Sequence, residues 1–231
     1  MQELGVAFER TDAGAAFGIV QTPAYLALNP NALVPVLQDG DFVLWESNVI
    51  VRYLCARHAL GSLYPEALPE RFNAERWMDW QQTTLNPAGR NAFVQWVRTA
   101  PAQRRDDLIA QSNQETEPLM ALLDAHLSRH AFMAGEHFSM ADIPIGCEVH
   151  RWHGLPQARA PRPHLERWYQ AVCINSIYPY GMACSFSSNS RDCERIMFSA
   201  TVFNTSWICA MGLGVSNSMV MVFSCWLKVT G

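Results

Sequence analysis

The sequence predicts an α/β unit followed by an all-α unit. Three observations carry that expectation. Two short β-rich runs, "VPVLQ" and "FVLW", meet at the turn signal "DGD". A helical repeat then starts at Ser47, and helical periodicity runs without interruption beyond residue 65. The chain divides into three zones: 1–64, 65–173, and a compositionally foreign tail, 174–231.

In the first zone, "VAFER" at 6–10 reads as a short strand after "ELG", where Gly5 suits a helix C-cap. The hairpin follows. Ser47 is placed to cap the next helix, on which Val49, Ile50, Tyr53 and Leu54 recur at helical spacing. The second zone is helical throughout. Trp77, Trp80 and the "QQTTL" after them predict a long helix bent near Pro87. Leu119, Leu122, Leu123, His126 and Leu127 form a packed stripe, with His126 read as core rather than as a ligand. In "FSMADIP", Ser139 and Asp142 have capping-box spacing, and Phe138 and Ile143 have the spacing of a hydrophobic staple. Pro144 is expected to cost that helix one backbone bond.

Composition bounds the function. A chain of 231 residues holds one large domain or two small ones. A net charge of −4 gives no basic face for nucleic acid. The seven cysteines include no CxxC and no Cys/His cluster, so no metal is expected. An odd cysteine count without a signal-peptide pattern fits a reducing, cytoplasmic setting.

The chemistry-bearing stretch is "NPNALVPVLQDGDFVLWESNVIVRYL". A proline inside a strand-like run belongs at an edge or bend. With a cis Val34–Pro35 bond, the main chain of Val34 turns outward and its N–H and C=O can pair with an extended peptide. Ser47 at a helix start favours a carboxylate, and Glu46 beside it offers a negative charge to an ammonium. Together these suit a small peptide with a free amino-acid head. Piece by piece, the plainer alternative is an ordinary hairpin and a capped helix.

The pieces come in a fixed order, however. "NP…VPVL…DG…L.ES..I..YL" resembles the second half of the thioredoxin-like domain of cytosolic glutathione transferases of bacterial type. "GEHFSMADI" resembles the capped core helix of their all-helical second domain. The resemblance covers residues 1–173 and implies an incomplete thioredoxin-like N-terminal domain followed by a helical-bundle C-terminal domain. It implies that Val34 pairs with the cysteinyl backbone of glutathione, with Pro35 the cis residue. Glu46 and Ser47 would hold the γ-glutamyl end. Leu33 stands where many relatives carry a polar or basic residue.

The implied activity is conjugation of the glutathione thiol to a small electrophile, with glutathione as co-substrate, no metal, and a homodimer in the cytoplasm without nucleic-acid or membrane partners. Trp77, Trp80 and Gln81 are candidates for the electrophile pocket, with core packing the favoured reading of the tryptophans. No residue matches the family's catalytic Ser, Tyr or Cys. Thr11, Thr22 and Tyr25 read as loop residues. The family's first strand, central in its sheet, and most of its first helix are expected to be missing. Conjugating activity of this chain is therefore expected to be low. The alternative is a non-catalytic glutathione-binding or dimer-forming remnant, or a fragment of an incomplete gene model.

The tail is Ser-, Cys- and Met-rich, with no charge from 196 to 227. It reads as out-of-frame, read-through or disordered sequence. A membrane span is the weaker reading because Ser, Asn and Thr recur too often. Least favoured is a strand from "SMVMVFSCWL" filling the vacant sheet position.

Overall fold

A computed structural model describes residues 1, 4–14, 17–177 and 225–230. The chain opens with strand β1 (Phe8–Asp12), a turn of 3-10 helix and the short helix α1 (Pro23–Leu28). Thr22 caps α1 by accepting from the Tyr25 N–H at 3.3 Å, and Pro23 sits in the first turn, where its missing donor costs nothing. Strands β2 (Val36–Asp39) and β3 (Phe42–Trp45) form the expected hairpin. Gly40 takes φ 60° at its two-residue turn, a conformation cheap for glycine. Helix α2 (Ser47–His58) follows.

The helical domain begins with α3 (Leu68–Trp80). It passes through a π turn at Gln81–Leu85 into α4 (Asn86–Phe93), then through a second π turn at Val94–Arg98. Pro87 accounts for the first irregularity. It cannot donate, and its ring crowds the carbonyl four residues back. The ladder shifts just before it, so that the Asn86 N–H bonds the Gln81 carbonyl. Three further helices complete the domain: α5 (Asp106–Leu127), α6 (Asp142–Gly154) and α7 (Pro163–Ile177). No strand lies between residues 65 and 177 among the described residues.

A fourth strand, β4 (Cys225–Val229), joins the sheet, whose order is β1-β4-β2-β3. It runs antiparallel to β1 and parallel to β2. Residues 225–229 thus take an interior position in the sheet. The strand covers the end of the "SMVMVFSCWL" segment, whose residues 218–224 lie outside the described ones. The remaining expectations for the tail concern residues that also lie outside them.

The core has three parts. One large cluster in the helical domain includes Trp77, Met78, Leu123, Ile145 and Trp168. On one face of the sheet Ala13, Tyr25 and Val36 pack together, and on the other Leu37, Ile50 and Leu54 meet Leu227 and Val229. His126 is half-buried at the margin of the core, its Nε2 3.0 Å from the Met133 carbonyl and its ring 4.7 Å from that of Trp77.

Several local expectations shift. The first strand is Phe8–Asp12 rather than 6–10. Val49 and Leu122 face solvent although they share the helical spacing of their buried neighbours. Ser47 is the first helical residue, and Glu46 holds the N-cap position without a side-chain cap bond. Pro144 lies within the first turn of α6, where a backbone N–H has no intrahelical partner, so no bond is lost. Tyr25 is buried on α1 rather than in a loop.

Candidate functional site

The loop ahead of β2 is fixed from beneath. The Tyr25 hydroxyl and Asn29 Nδ2 each donate to the Leu33 carbonyl at 2.8 Å, and Asn29 Oδ1 accepts from the Asn31 N–H at 3.0 Å. Asn29 is almost fully buried, so these bonds are shielded from water. The Val34–Pro35 bond that follows is cis. Leu33 itself is exposed, offering an apolar side chain at the rim. Tyr25 and Asn29 were not singled out from the sequence as loop supports; the "NPN" turn was the one available signal.

At the other end of the hairpin, Glu46 takes φ 75°, left-handed backbone that is uncommon for a residue with a Cβ. This kink turns the chain from β3 into α2 and leaves Glu46 and Ser47 at the helix start, where free N–H groups and the helix dipole favour an anion. Val34, Pro35, Glu46 and Ser47 all line one cavity of about 300 Å³. The four residues named from sequence are therefore brought together.

The opposite wall is helical. Gln81 and Asn86, set by the π turn, share it with Cys147, Glu148 and Arg151 of α6. A buried polar chain links the two walls. Asn48, next to Ser47, donates from Nδ2 to the Met78 carbonyl (2.9 Å) and to Gln81 Oε1 (3.1 Å). Gln81 Nε2 donates to Glu148 Oε1 at 3.2 Å, and Arg151 Nη1 donates to both Glu148 oxygens at 3.0 Å. Burial raises the Glu148 pKa, opposed by Arg151 and by the Gln81 hydrogen bond. The chain of bonds ties the start of α2 to α6 through Gln81.

Gln81 thus reaches the cavity, whereas Trp77 and Trp80 do not line it. They pack edge to face, ring centroids 5.4 Å apart, in and against the helical core. The Cys147 thiol does border the cavity, but burial pushes its pKa up to about 12, so it stays protonated.

Ser139 and Asp142 lie apart from the cavity. The Ser139 N–H donates to Asp142 Oδ2 at 2.9 Å, which is half of the expected capping box. The other half is not made, because Ser139 Oγ accepts from the Ala141 N–H at 3.3 Å and Ala141 holds the N-cap position. Asp142 does more than cap. Its Oδ1 also accepts from the Met133 N–H (2.8 Å) and Trp168 Nε1 (2.7 Å), while burial raises its pKa against these bonds.

A sheet with a cis-proline loop, followed by a helical bundle that shares a cleft with it, defines the two-domain class with a thioredoxin-like first unit. The family models for the glutathione S-transferase N-terminal and C-terminal domains match residues 1–56 and 106–171. Glutathione S-transferase GstB of Escherichia coli K12 is 41% identical over 174 residues, spanning 74% of this chain and 84% of that protein. The theta class glutathione S-transferase of Xanthomonas axonopodis pv. citri, solved with glutathione bound, superposes with a TM-score of 0.74 at 42% identity, covering 80% of this chain and 89% of that one. The chain belongs to the glutathione S-transferase family. No described helix is long and apolar enough to cross a membrane.

Proposed function

We propose that this protein binds glutathione in the cavity and joins its thiol to a small electrophile. The observation that supports this best is the convergence of the cis Val34–Pro35 loop and the Glu46–Ser47 helix start on one cavity. The Val34 main chain would pair with the cysteinyl backbone. Ser47 and the N–H groups behind it would hold the γ-glutamyl carboxylate, and Glu46 its ammonium. Gln81 is the remaining candidate for contact with the electrophile. Homologues of known structure also support glutathione as the ligand. A homodimer in the cytoplasm fits the family.

Titration calorimetry with glutathione tests this reading. Ser47→Ala should weaken binding by on the order of 1.5–3 kcal/mol, the range for a hydrogen bond to a charged group. Unchanged affinity would return Ser47 to the role of a helix residue alone. The second reading is binding without catalysis. Conjugation of an aromatic halide at a rate no higher than that of free glutathione would select that second reading.

A further inference from the structure

Strand β4 is separated in sequence from α7 by residues 178–224, yet it lies inside the sheet rather than on an edge. Its register is defined on both sides. Against β1, Phe8 faces Val229, Glu9 faces Lys228 and Arg10 faces Leu227. Against β2, Leu37 faces Leu227 and Gln38 faces Lys228. The Thr230 N–H continues the ladder to the Ala7 carbonyl at 3.2 Å.

The side chains agree with that register. Strand residues alternate between faces, so Leu227 and Val229 point one way and Lys228 the other. Leu227 and Val229 pack with Leu37, Ile50 and Leu54, while Lys228 is exposed opposite the exposed Glu9. Opposite charges in directly facing positions favour this pairing over a one-residue slip, which would bury Lys228 and expose both apolar residues.

The neighbour on the β2 side matters for the cavity. β2 starts at Val36, immediately after the cis Val34–Pro35 bond. With β4 withdrawn, β2 would lose its ladder on one side and Leu37 its in-register partner.

We propose that residues 225–229 are a docked strand that positions the Val34–Pro35 loop, so that the cavity is in binding form only while this strand is inserted between β1 and β2. The ligand-binding readout rests on the glutathione reading; the two structural readouts do not.

The first test is Glu9→Cys with Lys228→Cys in the full chain. Facing residues of an antiparallel pair have Cα atoms about 4.5–5.5 Å apart, within disulfide reach. Mild oxidation should join these two cysteines within one chain, as read by peptide mass mapping, and Lys228→Cys alone should give no such link. Absence of the link in the double variant overturns the proposal.

The second test is Leu227→Asp beside Leu227→Ile. In Leu227→Asp, amide hydrogen exchange at Val36, Leu37 and Gln38 should speed at least tenfold, while amides of α6 keep their protection. Glutathione affinity should fall at least tenfold, and Leu227→Ile should restore both. Unchanged exchange at β2 overturns the proposal. Should Leu227→Asp be insoluble, the cysteine link decides alone. If the parent chain binds no glutathione, the functional reading fails, and the link and the exchange still judge the strand.

Discussion

The helical domain packs one continuous cluster, from Ala74 and Trp77 on α3 to Trp168 and Val172 on α7. The sheet carries two small clusters on opposite faces, each with three buried residues among those described. The helical cluster runs from Cys55 on α2 to Val172 on α7, and the Asp142 carboxylate is bonded to its Trp168. One of the smaller clusters draws on both ends of the chain, since Leu227 and Val229 complete the face that Leu37 begins. The difference teaches that the two halves need not fail together. The helical half takes its apolar partners from its own helices and from α2, whereas the sheet half borrows one of its strands.

The hardest blow to the helical half is Asp142→Ala. Removing this carboxylate leaves the N–H groups of Met133 and Ser139 and the Trp168 indole N–H without their acceptor in a dry interior. At about 1–3 kcal/mol for each buried unsatisfied group, with partial relaxation, a loss of about 3–5 kcal/mol is expected in urea unfolding. Glutathione affinity should hold in the fraction that stays folded. A binding loss without a stability loss would make Asp142 part of the ligand site.

The corresponding change in the sheet is Leu37→Ala, expected to cost about 3 kcal/mol as a large-to-small change in a fully buried position. Hydrogen exchange should show the loss in β1 and β2 and spare α5 and α6. Equal loss in both halves would mean that they unfold as one unit, and the contrast between them would fall.

A finer probe is pH. His153 lies on α6 with its ring 5.1 Å from that of Tyr169 on α7. Burial, with Arg159 adding repulsion, pushes its pKa from 6.5 down to about 4. The unfolded chain takes up a proton near pH 6.5 that the folded protein refuses. Stability is therefore full above pH 6.5 and declines as the pH falls toward 4, by on the order of 3 kcal/mol. His153→Phe should flatten that decline in unfolding curves taken across this window. An unaltered slope would assign the effect to other groups.

The two halves also differed in how much of them could be read from the sequence. The hairpin, the cis-proline loop and the Glu46–Ser47 start of α2 announce themselves through neighbours a few positions apart, as does the contact of Ser139 with Asp142. The rest depends on meetings that no local pattern records. The Asp142 spacing points to a cap, but its bond to Trp168 crosses 26 positions, and the bond from Gln81 to Glu148 crosses 67. Trp77 and Trp80 look like pocket walls by type, yet a core that needs large side chains takes them first. β4 was the least legible element. It has five residues, its composition is that of the foreign tail, and its register is set by β1 and β2 at the far end of the chain.

That distance has a consequence for the protein while it is being made. Leu227 leaves the ribosome about 190 residues after Leu37, its partner in the sheet. At about 5–20 residues per second, β2 and the apolar faces of Ile50 and Leu54 wait roughly 10–40 seconds for their covering strand. The helical domain has helices α3 to α7 by then and can pack meanwhile. Through that interval the nascent chain presents a folded bundle joined to an open, adhesive sheet, a form that holding chaperones recognise and that sticks to its own kind when they are scarce.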